Sequence, residues 1–485
     1  MFKLLLSFTL FILSATAFSQ NIVGNWEGAL QIQGTEIPIV FHISKDSAGM
    51  YKATFDSPKQ KSFNNACSEV ILKEDSVLLM IQSIKGKYAG LLSKDKNQLT
   101  GTWFQGSNSL PLNLNKTSSQ ATIKKVNRPQ TPTPPFPYQS EDVEYDNADK
   151  SIHFGGTFTV PLPEPNTNYF RAPVYPTVLL ITGSGQQDRD ETIFGHKSFA
   201  VIADYLTRQG IAVLRIDDRD KGKTTGNFIT STSADFALDV EAGINYLKSR
   251  KDVDTFNIGL IGHSEGGIIA PIVASRRKDI GFIILLAGPG INVLDMMEQQ
   301  SADVMASTGN SKTDIDFYRP LYRNLVTAII NAKDTATASK KAIAVFKKWQ
   351  KGKSAATVKN TTGVEAEKDI PVFTNAFVKQ LSNPWFSNFI KMNPQNYLTK
   401  TNCPVLALNG EKDIQVAAKP NLAGIKTILQ KNNNTHVTTM EMPGLNHLFQ
   451  HCKKCTVDEY GDLEETFDIA TLKIILDWIK TGRFK

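Results

Sequence analysis

The first part of the chain contains short runs in which apolar and polar residues alternate, separated by turn residues. Alternation with a period of two is typical of a strand that has one buried face and one exposed face. Six such runs are predicted as strands, at residues 29–33, 37–43, 50–54, 77–84, 88–92 and 98–104. Short strands joined by turns predict a small antiparallel β-barrel or sandwich over residues 20–118.

A proline-rich segment follows this predicted β-domain. It carries five prolines, Pro129, Pro132, Pro134, Pro135 and Pro137. Because proline lacks an amide hydrogen and fixes its own φ angle, such a segment favours extended chain over regular pairing. We therefore predict a linker over residues 119–140.

From residue 141 to residue 485 the pattern changes to continuous apolar runs that alternate with amphipathic segments. Continuous apolar strands are typical of a parallel sheet that helices cover on both faces. The predicted strands are residues 177–182, 211–216, 257–261, 282–287, 404–408 and 437–442. A helix between the second and third of these strands is predicted to begin at the capping signal formed by Thr232 and Asp235. The predicted fold is a doubly wound, mostly parallel α/β sheet.

About 110 residues, from 291 to 400, interrupt this rhythm and show a helical pattern. A structureless loop of that length is rare inside a domain, so we predict an inserted helical cap. The cap carries 15 Lys and Arg against 9 Asp and Glu. It is therefore basic, although Asp295, Glu298 and Asp303 lie near its beginning.

The composition limits the classes of protein that remain. With 41% hydrophobic and 21% charged residues, the chain has enough apolar material for a buried core, which excludes wholesale disorder. Its net charge of +7 is spread over 54 basic and 47 acidic residues, without dense Lys and Arg runs among aromatics. Nucleic acid is therefore not a predicted partner.

Residues 1–19 have the pattern of a secretory signal peptide. Lys3 precedes an apolar run at residues 4–13, and small residues follow at positions 14–17. We predict cleavage between Ser19 and Gln20 and a secreted or periplasmic protein. An apolar run of this length is about half of a membrane-spanning helix, so no transmembrane anchor is predicted for the mature chain.

Only four cysteines occur, which excludes a disulfide scaffold. Cys452 and Cys455 have C-x-x-C spacing. A structural zinc site needs four ligands, and no second pair of this spacing is present. We therefore predict a local disulfide and no bound metal.

The predicted strand at residues 257–261 runs directly into Gly262-His263-Ser264-Glu265-Gly266, and a helix follows. A tight strand-to-helix turn with flanking glycines holds its central residue in a strained conformation and exposes its side chain. The positive end of the helix dipole favours negative charge that develops there. Ser264 is therefore the predicted nucleophile.

A serine hydroxyl needs a base, and the base needs a carboxylate that orients it. The strand at residues 404–408 runs into a loop that contains Asp413, the predicted acid, with Glu411 as the alternative. The strand at residues 437–442 runs into His447, the predicted base, whereas His436 precedes that strand. His451 lies further along and is predicted to be a surface residue.

An acyl-transfer site also needs two N–H donors that face the developing oxyanion. The amide of Glu265, directly after the nucleophile, is the first predicted donor. The second lies in the glycine-rich loop after the strand at residues 177–182, on Ser184 or alternatively on Gly185.

These segments together resemble the secreted bacterial α/β-hydrolases grouped with serine carboxylesterases and serine aminopeptidase-like hydrolases. The matching strings are Gly-Ser-Gly-Gln-Gln-Asp-Arg-Asp-Glu from 183, Asp-Asp-Arg from 217, Gly-His-Ser-Glu-Gly-Gly from 262, Asn-Gly-Glu-Lys-Asp from 409 and Pro-Gly-Leu-Asn-His-Leu-Phe from 443. The resemblance implies Ser264, Asp413 and His447 as the triad and esters of small acyl groups as substrates. Asp220 and Lys221 depart from the pattern Asp-Asp-Arg-Gly-x-Gly that such proteins usually show after strand two.

The sequence thus predicts a serine hydrolase that cleaves small-molecule carboxylic esters through an acyl-enzyme and needs no cofactor. A serine aminopeptidase or amidase is the alternative within the same class. A different class, a cell-envelope binding module with a vestigial hydrolase, is opposed by the complete set of predicted triad residues.

Overall fold

The structure is a computed structural model that describes residues 21–32, 35–58, 62–105, 108–117, 126–163 and 173–481. The predicted signal peptide at residues 1–19 and its cleavage site lie outside the described residues. Among the residues described, no helix combines the length and the apolarity needed to cross a membrane. The chain divides into two units, Met1–Lys125 and Val126–Lys485.

The described part of the first unit is a single antiparallel sheet. Its strands are β1 (Gly24–Ile32), β2 (Thr35–Lys45), β3 (Tyr51–Ser57), β4 (Ser62–Ala66), β5 (Glu69–Lys73), β6 (Ser76–Ile81), β7 (Gly86–Leu92), β8 (Gln98–Gln105) and β9 (Asn108–Thr117). Their order in the sheet is β4-β3-β2-β1-β9-β8-β7-β6-β5.

The sheet curls until its two ends meet, which corresponds to the barrel alternative of the prediction. Between β4 and β5, the amide of Cys67 donates to Ala53 in β3, and the amide of Ser68 donates to Met80 in β6. Inside the curl lie large buried side chains, including Trp26, Phe41 and Tyr88. Burial of these apolar surfaces provides the main free energy that holds the unit folded.

The second unit contains a sheet whose order is β10-β11-β15-β12-β16-β17-β18-β19. These strands are β10 (Tyr138–Asp146), β11 (His153–Pro161), β12 (Tyr175–Ile181), β15 (Ala212–Ile216), β16 (Val253–His263), β17 (Phe282–Leu286), β18 (Val405–Gly410) and β19 (Val437–Met442). The last six pair in parallel, whereas β10 and β11 form an antiparallel hairpin at one end. A separate two-stranded ribbon consists of β13 (Thr192–Ile193) and β14 (His196–Lys197).

Helices connect the parallel strands and cover the sheet. They are α1 (Ser198–Arg208), α2 (Ser233–Ser249), α3 (Gly266–Arg276), α11 (Ala418–Lys431) and α12 (Ile469–Thr481). The predicted capping signal begins α2, since the amide of Thr232 donates to the Asp235 carboxylate at 2.8 Å. Two buried apolar clusters contain the alternate faces of the sheet strands, with residues such as Leu260 in one and Ile261 in the other.

Between β17 and β18 the chain forms the helical insertion. Its helices are α4 (Val293–Ser307), α5 (Lys312–Ile330), α6 (Thr335–Gln350), α7 (Ala355–Thr362), α8 (Ile370–Leu381), α9 (Pro384–Phe389) and α10 (Gln395–Leu398). The buried residues of α4 to α10 join the same apolar cluster as one face of the sheet. The predicted fold class, a small antiparallel β-domain before a mostly parallel α/β sheet with a helical insertion, is confirmed.

The division between the units falls at Lys125/Val126, whereas the sequence assigns residues 119–140 to a linker. Within that segment, the Arg128 guanidinium donates to the carbonyls of Gly461 and Leu463, at 2.7 and 2.5 Å. The Gln130 side chain donates to Phe467 O at 2.7 Å. The proline-rich stretch from residue 126 onward is therefore a strap on the second unit, held there by side-chain hydrogen bonds to backbone carbonyls.

The loop after β15 shows how the chain accommodates its departure from the usual pattern. Asp220 occupies the place of the first glycine of Asp-Asp-Arg-Gly-x-Gly and has a φ of 60°. Aspartate tolerates this left-handed conformation better than most side chains do. The loop is held directly before Asp220, because Arg219 forms two 2.7 Å hydrogen bonds with Asp239 and Asp217 binds Arg189.

Candidate active site

The predicted nucleophile lies on the turn between β16 and α3. Ser264 has a φ of 54°, in the left-handed region that non-glycine residues rarely occupy. A Cβ atom on Gly262 would lie 2.0 Å from the Gly266 carbonyl oxygen, and one on Gly266 would lie 2.2 Å from the Ile181 carbonyl oxygen. Glycine is therefore required on both sides of Ser264, since a larger residue would force the turn apart.

The backbone on either side of Ser264 is fixed by the sheet and the helix. Its amide donates to Leu286 O in β17 at 2.8 Å, and its carbonyl accepts from the Gly267 amide at 2.9 Å. These bonds hold the strained residue between two rigid elements. The Ser264 side chain is thereby presented at the carboxyl end of the sheet, where α/β folds place their reactive groups.

The structure brings the predicted acid and base into direct contact. Asp413 follows β18, His447 follows β19, and His447 Nδ1 lies 2.8 Å from Asp413 Oδ2. Both side chains are buried, at 0% and 6% exposed. The other oxygen of Asp413 accepts the amides of Gln415 and Val416, which fixes the carboxylate in place. An orienting carboxylate on Nδ1 leaves Nε2 of the imidazole as the nitrogen that can take up a proton.

The alternatives at these positions lie elsewhere. Glu411 accepts the amide of Gly444 at 3.0 Å and is exposed to solvent. His451 is also exposed, and its Nδ1 lies 3.0 Å from Glu465 Oε2. Neither contact involves the imidazole of His447.

The predicted oxyanion residues lie beside the nucleophile. A Cβ atom built on Gly183 would lie 3.1 Å from Ser264 Cβ, so the glycine-rich loop after β12 passes directly over the turn. The Ser184 hydroxyl lies near enough to the Glu265 carboxyl group to lower its pKa slightly. The two residues predicted to supply the N–H donors are thus neighbours in the structure.

The Glu265 carboxyl group has further partners in α2 and in the cap. Ser233 Oγ donates to Oε1 at 2.6 Å, and Trp385 Nε1 donates to the same oxygen at 2.8 Å. Burial raises the pKa of Glu265, although these donors oppose the rise. The sequence pattern indicated a role only for the backbone amide of Glu265. No spacing in the chain indicated the contact with Trp385, which is 120 residues away.

A second carboxyl group lines the small cavity next to Glu265. Asp218 accepts from Thr182 Oγ1 at 2.8 Å and from the Gln187 amide at 2.7 Å. Burial raises the pKa of Asp218 to about 7, with the nearby carboxylates of Glu265 and Glu191 adding to the effect. This part of the site therefore carries less negative charge at neutral pH than its composition suggests.

Behind the nucleophile turn lies a buried pair that the sequence did not reveal. His263 Nδ1 lies 2.9 Å from Glu191 Oε1, and His263 Nε2 lies 3.0 Å from the carbonyl oxygen of His447. The rings of His263 and His447 are 4.9 Å apart. Glu191 ends the Gly-Ser-Gly-Gln-Gln-Asp-Arg-Asp-Glu string, and its separation of 72 residues from His263 hides the contact from any local pattern.

Among the described residues, two clusters each bring together three side chains of the types that bind metal ions. In both clusters these side chains contact other protein groups. Cys452 and Cys455 form a disulfide, as their spacing predicts, and the neighbouring Glu459 accepts the amide of Cys455 at 2.8 Å. The second group, His451, Glu465 and Asp468, lies beyond the base, and Asp468 accepts the Thr471 amide in α12.

Comparisons with known proteins show the family of the chain. Residues 196–451 match the family described as serine aminopeptidase, S33, which is more than half of the chain. The chain therefore belongs to this family of α/β-hydrolases. A curated relative is the esterase EstD of Thermotoga maritima, 34% identical over 126 residues, which are 26% of this chain and 30% of EstD.

Solved structures with a similar fold include two esterases. The Pyrococcus furiosus esterase Pf2001 is 17% identical, with 74% of this chain and 98% of that chain covered and a TM-score of 0.41. Est1E of Butyrivibrio proteoclasticus, solved with ferulic acid, is 16% identical, with 71% and 100% covered and a TM-score of 0.39. The chain matches less than a third of the length of EstD, so its own substrate is a matter for proposal.

Proposed function

We propose that the protein is a serine esterase that hydrolyses carboxylic esters of small acyl groups. The observation that carries the proposal is the buried contact between His447 Nδ1 and Asp413 Oδ2, on loops at the same edge of the sheet as the strained turn of Ser264. This is the set of groups that activates a serine for attack on a carbonyl carbon.

The proposed reaction has two steps. His447 removes the proton from Ser264 Oγ, and the oxygen attacks the ester carbonyl carbon to form a tetrahedral intermediate. Backbone amides at Glu265 and in the loop of Ser184 stabilise its oxyanion. The intermediate collapses and breaks the carbon–oxygen bond to the alcohol, to which His447 returns the proton. Water then gives a proton to His447 and attacks the carbonyl carbon of the acyl-enzyme. The bond to Ser264 Oγ breaks, the acid leaves, and His447 returns the proton to Ser264 Oγ.

The charges near the site support an ester over a substrate with a free amino group. An aminopeptidase needs carboxylates that are free to bind an ammonium group. At the start of the cap, Asp295 binds Arg323 at 2.5 Å, and Glu298 binds both Arg319 and Arg323, at 3.0 and 2.5 Å. Next to the nucleophile, Asp218 and Glu265 accept hydrogen bonds from the protein, and their pKa values are raised by burial.

The experiment compares kcat/KM for p-nitrophenyl acetate and butyrate with kcat/KM for aminoacyl p-nitroanilides that carry a free amino group. Higher values on the esters are expected. Higher values on the anilides, lost in Asp295→Ala or Glu298→Ala, would instead make the protein an aminopeptidase, which the family also contains by its description.

We further propose that the protein is secreted or periplasmic, on the support of the pattern at residues 1–19. Mass spectrometry of the mature N-terminus tests this. A chain that begins at Gln20 is the expected result, and a chain that retains residues 1–19 would contradict it.

A further inference from the structure

His263 and Glu191 form a titratable pair that the proposed reaction does not use. Their side chains are 5% and 1% exposed, so the pair is removed from water. His263 comes directly before Ser264, at the end of β16, whereas Glu191 lies in the loop between β12 and β13. Burying two ionisable groups is costly, and such a pair is retained only when its geometry satisfies both partners.

The hydrogen bonds of His263 define its protonation. Its Nε2 lies 3.0 Å from the His447 carbonyl oxygen, which has no hydrogen to give, so Nε2 must carry one. Its Nδ1 lies 2.9 Å from Glu191 Oε1, which already accepts the Gly183 amide at 2.8 Å. An ionised carboxylate only accepts hydrogen bonds, so with Glu191 ionised Nδ1 carries a hydrogen as well. His263 is then an imidazolium ion bound to a carboxylate.

The influences on the titration of His263 agree with this charge. Burial is the largest of them and disfavours the charged form. The Glu191 carboxylate, the His447 carbonyl and the more distant Asp413 outweigh it together, and the pKa of His263 is raised above its ordinary value.

The pair touches each of the three segments on which the proposed reaction depends. Glu191 binds the amide of Gly183, next to the predicted oxyanion residue Ser184. His263 is covalently attached to Ser264. Its ring binds the His447 backbone and lies 4.9 Å from the His447 ring.

We propose that Glu191 and His263 are positioning residues for ester hydrolysis, a buried carboxylate–imidazolium pair that fixes the oxyanion loop and the base His447 relative to Ser264. The inference rests on the proposed function, because the proposed function gives the three segments their roles. It adds a charged pair behind the proposed triad. There, displacement of the catalytic groups by about 1 Å lowers the rate on the order of 100-fold.

The pair also makes a prediction about pH. The groups that face His263 are Glu191, Asp413 and His447, and Asp218 interacts in turn with Glu191. In the wild-type protein the charges of Glu191 and His263 cancel. In His263→Gln the charge of Glu191 is left alone near His447, so it favours the protonated base. The acid limb of the kcat/KM profile should therefore move to higher pH, by about one unit.

Three variants separate charge from geometry. Glu191→Gln keeps the shape of the acceptor but removes the counter-ion, so His263 loses a proton and one of its two hydrogen bonds. We expect kcat to fall on the order of 100-fold with KM changed much less, and the acid limb to stay near its wild-type position. In Glu191→Gln/His263→Gln both charges are gone. The acid limb should therefore return from its position in His263→Gln towards its wild-type position.

A matched control is provided by an exposed histidine with the same type of partners. His153 lies between Asp146 and Glu144, at 2.7 and 2.9 Å, on β11. His153→Gln should leave kcat, KM and the pH profile at their wild-type values.

The protonation of His263 is also measured directly in the wild-type protein, by NMR of ¹⁵N-labelled histidine. Two protonated ring nitrogens are expected across the neutral range, on a signal that changes in Glu191→Gln. This measurement decides the matter even if a variant fails to fold. A neutral His263, or variants that retain the wild-type kcat and pH profile, would overturn the inference.

Failure of the proposed function would look different. A wild-type protein that neither hydrolyses esters nor reacts with a fluorophosphonate would refute the proposed esterase activity. The role of the pair in hydrolysis would be refuted with it. If the wild-type protein hydrolyses esters and reacts with the fluorophosphonate, while the variants of Glu191 and His263 keep its kcat and pH profile, the esterase activity stands and the positioning role of the pair is refuted.

Discussion

At the scale of the residue, the site depends on backbone strain that the surrounding structure holds in place. Ser264 has a φ of 54°, between glycines that no larger residue could replace without contact at about 2 Å. A non-glycine residue in this region costs of order 1–3 kcal/mol, which the flanking strand and helix must offset. Strain of this kind is typical of residues whose exposure serves a reaction.

The first prediction concerns the proposed triad. Ser264→Ala and His447→Ala should each lower kcat by about 10⁴-fold or more, because each removes a group that the other needs. Asp413→Asn should cost somewhat less, since the base remains but is held in the wrong tautomer. Steady-state hydrolysis of p-nitrophenyl acetate measures these effects.

The control for this set is His451→Ala, which removes an exposed imidazole that contacts Glu465. Its kcat should stay within a few-fold of the wild type. Equal activity in His447→Ala and wild type would contradict the assignment of the base.

The sequence indicated where the candidate site residues lie in the fold, because each of them follows its own strand. Ser264, Asp413 and His447 could be predicted because each lies in the loop directly after an apolar run, and such loops meet at one edge of a parallel sheet. Glu191, His263 and Trp385 could not, because their roles come from contacts between distant segments. His263 stood inside the motif, but only its structural partners distinguish it from any other residue before the serine.

At the scale of the element, a hydrogen bond from Trp385 links the cap to the nucleophile turn. Trp385, in α9, donates its indole N–H to Glu265, the residue after Ser264. Through this hydrogen bond, the position of α9 directly affects the predicted oxyanion site.

The second prediction tests this link. Trp385→Phe keeps an aromatic ring but removes the N–H, so the buried Glu265 carboxyl group loses one donor. We expect a loss of about 1–2 kcal/mol in the free energy of unfolding, measured by chemical denaturation, together with a lower kcat. Trp349→Phe, which removes an indole N–H bound to Phe317 within the cap, is the matched control and should lower stability without lowering kcat. Equal kcat in the two variants would contradict the link.

The third prediction concerns the loop after His447. In protein purified under oxidising conditions, Cys67 and Cys403 should be the two free thiols, and four should appear after reduction. Thiol counting in denaturant measures both numbers. Because the disulfide closes a very short loop, Cys452→Ser/Cys455→Ser should lower stability by no more than about 2 kcal/mol. Four thiols before reduction would show that the bond does not form.

Burial explains much of which strands could be predicted. Five of the six parallel strands of the second unit contain fully buried stretches that read as continuous apolar runs. The sixth, β19, lies at the sheet edge and is only partly buried. The hairpin of β10 and β11 was not predicted, since β10 is at the sheet edge, is half exposed and contains several charged residues. In the first unit, β4, β5 and β9 were not predicted. β4 and β5 are short strands at the ends of the sheet order, whereas β9 lies inside the sheet, between β1 and β8.

At the scale of the whole molecule, the chain consists of two units with separate cores. The apolar cluster of the first unit contains residues 22–114, and those of the second unit begin at residue 143. Units with their own cores commonly fold independently. We propose a boundary near Lys125/Val126, since Arg128 and Gln130 bind the second unit.

The fourth prediction follows from that boundary. A fragment of residues 126–485 should fold and retain the wild-type kcat on small esters. A fragment of residues 141–485 lacks the strap and the first residues of β10, so it should have a lower Tm and reduced solubility. Thermal unfolding of the two fragments measures the difference, and equal stability would show that the strap contributes nothing.

The most direct test of the account is the reaction of the intact protein with a fluorophosphonate, followed by peptide mapping. This reagent modifies only a serine whose hydroxyl is activated by a neighbouring base. We predict a single modified peptide that carries the label on Ser264, slower labelling in His447→Ala, and none in Ser264→Ala. Absence of labelling, or a label on another serine that persists in Ser264→Ala, would contradict the assignment of Ser264 as the nucleophile of a serine esterase.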